Sequence, residues 1–222
     1  DSFIVSINDL ARQSAECLCR RDQRYQHQSQ AEMSILRILV NDQEILRAGG
    51  DAFCSLSWDI VGSLHEESHA LLDVSGFNQR IDGVYDAAYW LESYPLKPTD
   101  CVFIECIPGN ATNSPFRRQS HEEYEELRQE MLRAESAGEY EAIRAVPKTR
   151  LRDRVELRIK TQNGVETAAS SPTVAAVICS GTWSVHHRPD EWLVRISEWG
   201  SKNGRSSQWL PIKGGVVVEV VA

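Results

Sequence analysis

The stretch "GGDAFCSLSWDIVGSLHEESHALLD", residues 49–73, decides which architecture this chain is expected to adopt. Gly49 and Gly50 permit a tight turn, and Ser55 or Ser57 can cap a helix that runs on to about Leu72. On a helical wheel Trp58, Val61, Leu64, Ser68, Leu71 and Leu72 share one face. His65 falls between Leu72 and Trp58, His69 lies at the edge of that face, and Glu66 and Glu67 point to the polar side. Read this way, the stretch is a helix with a thiol, Cys54, just before its start and two histidines four residues apart within it.

Working outward, the chain before this stretch also shows helical spacing. Leu10, Ser14, Cys17 and Leu18 mark one buried face, and Met33, Leu36, Leu39 and Val40 mark a second helix over 31–47. A further helix is expected over 78–92, ended by Pro95. "CVFIECI", 101–107, is a short apolar run suited to a strand buried on both faces. Ser120 and Glu123 form a capping box that opens a charged surface helix at about 120–145. After residue 150 the pattern turns to antiparallel sheet. Asn163-Gly164 signals a hairpin, "TVAAVICSGTWSVHH" turns into "EWLVRISEW", and Gly214-Gly215 marks a late turn. No internal repeat is evident. The expected fold class is α+β: N-terminal helices followed by a largely antiparallel β-sheet, with the charged helix inserted. A single domain over 1–222 is expected, with a helical half at about 1–95 and a β-rich half at about 96–222. The start at Asp1 without a methionine points to a domain excised from a longer chain.

A net charge of −8 disfavours a general binder of nucleic acid, while leaving room for a local basic surface. No apolar run approaches the roughly 20 residues that span a bilayer, so no membrane partner is expected. Six cysteines without a CxxC pair read as reduced thiols of an intracellular, cytoplasmic protein.

Three patterns carry candidate chemistry. The first is His65-Glu66-Glu67-Ser68-His69, an HExxH sequence. On a helix it would converge two imidazoles on zinc while Glu66 reaches the metal's water. Glu92 or Asp86 is the candidate third ligand of this zinc hydrolase alternative. The second is Cys54 at a helix N-terminus, where the dipole lowers a thiol pKa. The third is the basic row Arg150, Arg152, Arg154, Arg158 and Lys160, interrupted by Glu156 and opposite the apolar face Leu151, Val155, Leu157 and Ile159 at strand spacing. Such a row can bind nucleic acid or an acidic protein as a non-catalytic module, or else pair with the acidic helix at 122–142.

Asp51-Ala52-Phe53-Cys54, the strand "TWSVHH" ending at His186 and His187, and Trp192-Leu193-Val194-Arg195 running into "SEWGSKNG" together resemble the papain-like superfamily, including ovarian-tumour-type deubiquitinases. The resemblance covers most of residues 49–204 in order of elements. It implies a cysteine-dependent hydrolase of peptide or isopeptide bonds that needs no cofactor. Cys54 would be the nucleophile and His187, which alternates with Val185 and Trp183, the base. Glu198 or Ser197 would take the third position, where the family has asparagine. The glycine of the family's opening turn is missing as well.

Overall fold

The computed structural model describes residues 34–49, 53–64, 67–79, 85–110, 113–136, 151–169, 176–184, 191–199 and 209–221. It is a sandwich of two antiparallel sheets. The strands are β1 Ser34–Val40, β2 Gln43–Gly49, β3 Phe53–Ser63, β4 Ala70–Gln79, β5 Tyr85–Leu96, β6 Cys101–Pro108 and β7 Arg117–Gln119. After helix α1, His121–Ser136, come β8 Glu156–Thr161, β9 Gly164–Ala169, β10 Ala176–Ser184, β11 Glu191–Trp199, β12 Leu210–Lys213 and β13 Val216–Val221. The first sheet has the order β2-β1-β6-β13-β8-β9 and the second β12-β11-β10-β3-β4-β5-β7.

This overturns the α+β expectation in the first half. The helix expected over 31–47 is the hairpin β1–β2, the one over 55–72 is β3 and the start of β4, and the one over 78–92 includes β5. The boundary near residue 95 falls inside β5, with strands on both sides of it. The physical reason lies in β3, which is buried on both faces. Leu56, Trp58 and Ile60 face the opposing sheet, while Ser55, Ser57 and Asp59 are also buried on the reverse face. The alternation of Leu56, Trp58 and Ile60 with Ser57 and Asp59 is that of a strand, while Val61, Leu64, Leu71 and Leu72 extend the apolar set so that it also falls on one face of a helical wheel. The surface helix does form. Ser120 N donates to Glu123 Oε2 (2.8 Å) and Glu123 N donates to Ser120 Oγ (3.1 Å), the reciprocal capping box. The hairpin at 161–164 also forms, with Thr161 paired to Gly164 across a Gln162-Asn163 turn.

Alternation fills the space between the sheets. Val102, Ile104 and Cys106 of β6, and Val216, Val218 and Val220 of β13, point inward from the centre of the first sheet. From the second sheet come Trp58, Ile60, Val74, Cys179, Trp192 and Val194. Trp58 meets Trp192 edge-on, with centroids 5.9 Å apart. Gly181 faces Trp58 so closely that a Cβ there would sit 2.3 Å from the indole nitrogen. A side chain is excluded at this point of the core.

The chain repeats its own topology, which corrects the absence of an internal repeat read from the sequence. β1–β6 and β8–β13 each run as a hairpin in the first sheet, three strands in the second, and a return strand to the first. The return strands β6 and β13 pair at the centre of one sheet, and β3 and β10 at the centre of the other. Leu36-Arg37-Ile38 matches Leu157-Arg158-Ile159, and Tyr94-Pro95-Leu96-Lys97 matches Leu210-Pro211-Ile212-Lys213. Glu105 and Glu219 occupy the same place on the return strands: Arg37 bonds Glu105 (2.8 Å) and Arg158 bonds Glu219 (3.3 Å).

Candidate functional site

The sequence motifs land in places that change their meaning. Glu67, Ser68 and His69 of the HEESH motif lie between β3 and β4 without helical structure, so His69 does not sit on the helix face that the zinc reading needs. His65 and Glu66 lie outside the described residues. His69 is half-buried, and its pKa is lowered by burial and then by the nearby Arg152 charge, which disfavours its protonation. Glu92 sits on β5 and pairs with Arg117 (3.2 Å). The strand register places its neighbour Leu91 opposite Val74, several residues along β4 from His69. Among the described residues no group of three or more His, Cys, Asp or Glu side chains could hold a metal ion.

Cys54 belongs to β3, so the helix N-terminus that would have activated its thiol is absent. Its neighbour Ser55 pairs with Ser184 of β10, the last described residue before His186 and His187, which themselves lie outside the described residues. Glu198 pairs with Val177, toward the other end of β10. Seven residues of extended strand separate Val177 from Ser184, roughly 23 Å, so Glu198 does not reach Cys54.

The described members of the basic row have partners within the chain. Arg152 donates to three main-chain carbonyls of the β3–β4 loop: Ser63 (3.0 Å), Glu67 (2.7 Å) and Ser68 (2.8 Å). Arg154 pairs with Glu156, Arg158 with Glu156 and Glu219, and Lys160 with Glu219. Arg150 lies outside the described residues. Val155, Leu157 and Ile159 are buried, as their spacing implied, whereas Leu151, expected on the same face, lies before β8 and is exposed.

Two features had no sequence candidate. The first is a polar row across the second sheet, where Arg195, Ser180, Asp59 and Asp73 lie in register on β11, β10, β3 and β4. Asp59 is buried, and that burial pushes its pKa up to about 7. Ser180 and the Arg195 charge oppose the rise, while Asp73 adds to it. Asp73 is raised by its own burial, against the amide of Ser93, which donates to it at 2.7 Å. The alternation Leu56-Ser57-Trp58-Asp59-Ile60 was the legible signal for this strand.

The second is a cleft of about 280 Å³ at one side of the sandwich, between the edge strands β9 and β12. Ile159, Val194, Ile196 and Ile212 line its floor, and exposed Val165 and Leu210 stand at its mouth. Arg195, stacked 4.4 Å over Trp209, borders it. Among the described residues no helix is long and apolar enough to cross a membrane. No family model, curated protein or solved structure matches the chain.

Proposed function

We propose that this chain is a protein-interaction module that takes an extended peptide segment into the cleft between β9 and β12. The carrying observation is the cleft itself: an apolar floor, two exposed apolar residues at the mouth, and a bordering strand, β9, with a single neighbour among the described strands. Exposed apolar groups around a concave opening characterise recognition surfaces. The binding-module reading of the sequence is thereby kept, with its surface moved away from the arginine row. Panning a phage-displayed library of random dodecapeptides on the purified protein tests it. Enrichment of apolar, extended sequences that fail to bind the Leu210→Glu variant supports the reading. Absence of enrichment, or binding indifferent to Leu210→Glu, refutes it.

A second reading, hydrolysis by Cys54 with His187 as base, is favoured by one observation. The Ser55–Ser184 pairing puts Ser184, two residues before His186 in sequence, beside the neighbour of Cys54. Turnover of a fluorogenic peptide amide or a ubiquitin conjugate, lost in Cys54→Ala, would support it. Equal rates for the two proteins would exclude it.

A further inference from the structure

Among the described residues, the two topological halves treat the same strand edge differently. In the first half β2 is the outer strand of its sheet, and its edge is covered by the chain itself. Arg47 N donates to Asn113 Oδ1 (2.8 Å), and Asn113 N donates to Arg47 O (3.2 Å). Asn113 O then accepts from Trp90 Nε1 on β5 (3.0 Å), which joins the two sheets across their open side. Three residues on, Phe116 N donates to Tyr89 O (2.9 Å), and β7 pairs with β5. One extended segment, 113–119, therefore closes the side of the first half.

In the second half β9 takes the place of β2. Arg37 pairs with Arg47, and its counterpart Arg158 pairs with Thr167. Thr167 thus stands where Arg47 stands. The turn that pairs Thr161 with Gly164 alternates the main-chain groups of β9, so those of Val165, Thr167 and Ala169 face away from β8. The other edge beside the cleft is already blocked. The Gln162 amide donates to Lys213 O (2.9 Å) and accepts from Lys213 N (2.8 Å), Asn163 Nδ2 donates to Pro211 O (3.3 Å), and proline has no N–H to offer.

We infer that the segment bound in the cleft is an extended strand of a partner protein that adds to the outer edge of β9. Its main chain bonds to the outward groups of Thr167, the groups that on Arg47 are taken by the Asn113 side-chain oxygen and main-chain amide, and apolar side chains at every second position enter the cleft. Residues 113–119 supply the internal precedent for an extended segment on such a side, Asn113 capping β2 and β7 adding as a strand to β5. Main-chain bonding gives such a contact its affinity, and the alternating pockets give it its selectivity. The inference rests on the binding reading above and specifies its geometry.

Thr167→Pro is the decisive variant. It removes the outward N–H at an edge position, where proline is tolerated in a folded sheet. The dodecapeptide library is panned on the wild type, Thr167→Pro and Leu210→Glu, each confirmed folded by circular dichroism. The inference expects peptides enriched on the wild type to lose at least tenfold in affinity on Thr167→Pro. N-methylation along an enriched peptide should abolish binding at alternate residues. Should Thr167→Pro not fold, that N-methyl scan on the wild type alone decides. Peptides that lose binding on Leu210→Glu but bind Thr167→Pro normally, with no period-two response to N-methylation, would overturn strand addition and leave the cleft reading standing. Failure to enrich any peptide would overturn both.

Discussion

Replacing Asp59 by asparagine should flatten the dependence of stability on pH. In the unfolded chain this carboxyl titrates near 3.8, and in the folded protein near 7, because burial disfavours its anion. Between those values the native state holds a proton that the unfolded state has released. The native state therefore has its full advantage below about pH 4, loses it as pH rises toward 7, and gains nothing back above. A difference of about three pKa units corresponds to about 4 kcal/mol at most. Asp73 beside it is displaced in the same direction and steepens the slope. Asparagine keeps the shape and cannot ionise. Urea unfolding of both proteins at pH 4 and pH 8 measures the effect. The wild type should lose several kcal/mol over that interval and Asp59→Asn markedly less, so that the variant is the more stable protein at pH 8. Parallel stability profiles for the two would show that Asp59 is not a buried acid, and with it the enclosure of the second sheet's reverse face would fail.

The remaining expectations concern the core, the loop and the metal. Gly181→Ala forces a methyl group into the Trp58 ring and should destabilise by about 1–3 kcal/mol, read as a lower urea midpoint at unchanged slope. An unchanged midpoint would mean that the tryptophan contact is not as described. Arg152→Met strips three carbonyls of the β3–β4 loop of their common donor and should cost on the order of 2 kcal/mol. Limited proteolysis should then cut within 64–69, and Arg152→Lys should restore little, since one ammonium cannot reproduce the guanidinium fork. Added zinc should leave the melting temperature unshifted. A rise of several degrees that disappears in His69→Ala would revive a metal site in this loop.

What is legible in the letters depends on local punctuation more than on burial: β2 has an exposed face and still falls inside the expected 31–47 helix. β6 is legible because "CVFIECI" is short and bounded, although only one of its faces is fully buried and not both as expected, and the hairpin β8–β9 is legible because Asn163-Gly164 punctuates it. α1 was recognised because its capping box is local chemistry. β3 is harder: buried on both faces, it carries serine and aspartate on the reverse side as well as tryptophan and isoleucine in the core, whereas β10, buried in the same way, is legible as a strand in "TVAAVICSGTWSVHH". The turn Asn41-Asp42, which takes positive φ at both residues, was a hairpin signal inside what was taken for a helix. The repeat was masked by divergence in letters, and it emerges only once Arg37–Glu105 and Arg158–Glu219 are seen as the same ion pair. The cleft was invisible in sequence for a general reason. It depends on what covers an edge strand, and Asn113 and Arg47 are brought together from distant parts of the chain.

Amide hydrogen exchange at two equivalent positions tests the central claim most directly. The Arg47 amide, held by Asn113, should exchange slowly, whereas the Thr167 amide should exchange quickly in the free protein and slow sharply when an enriched dodecapeptide is bound. A Thr167 amide already protected in the free protein, or one that saturation with peptide leaves unchanged, would contradict the account.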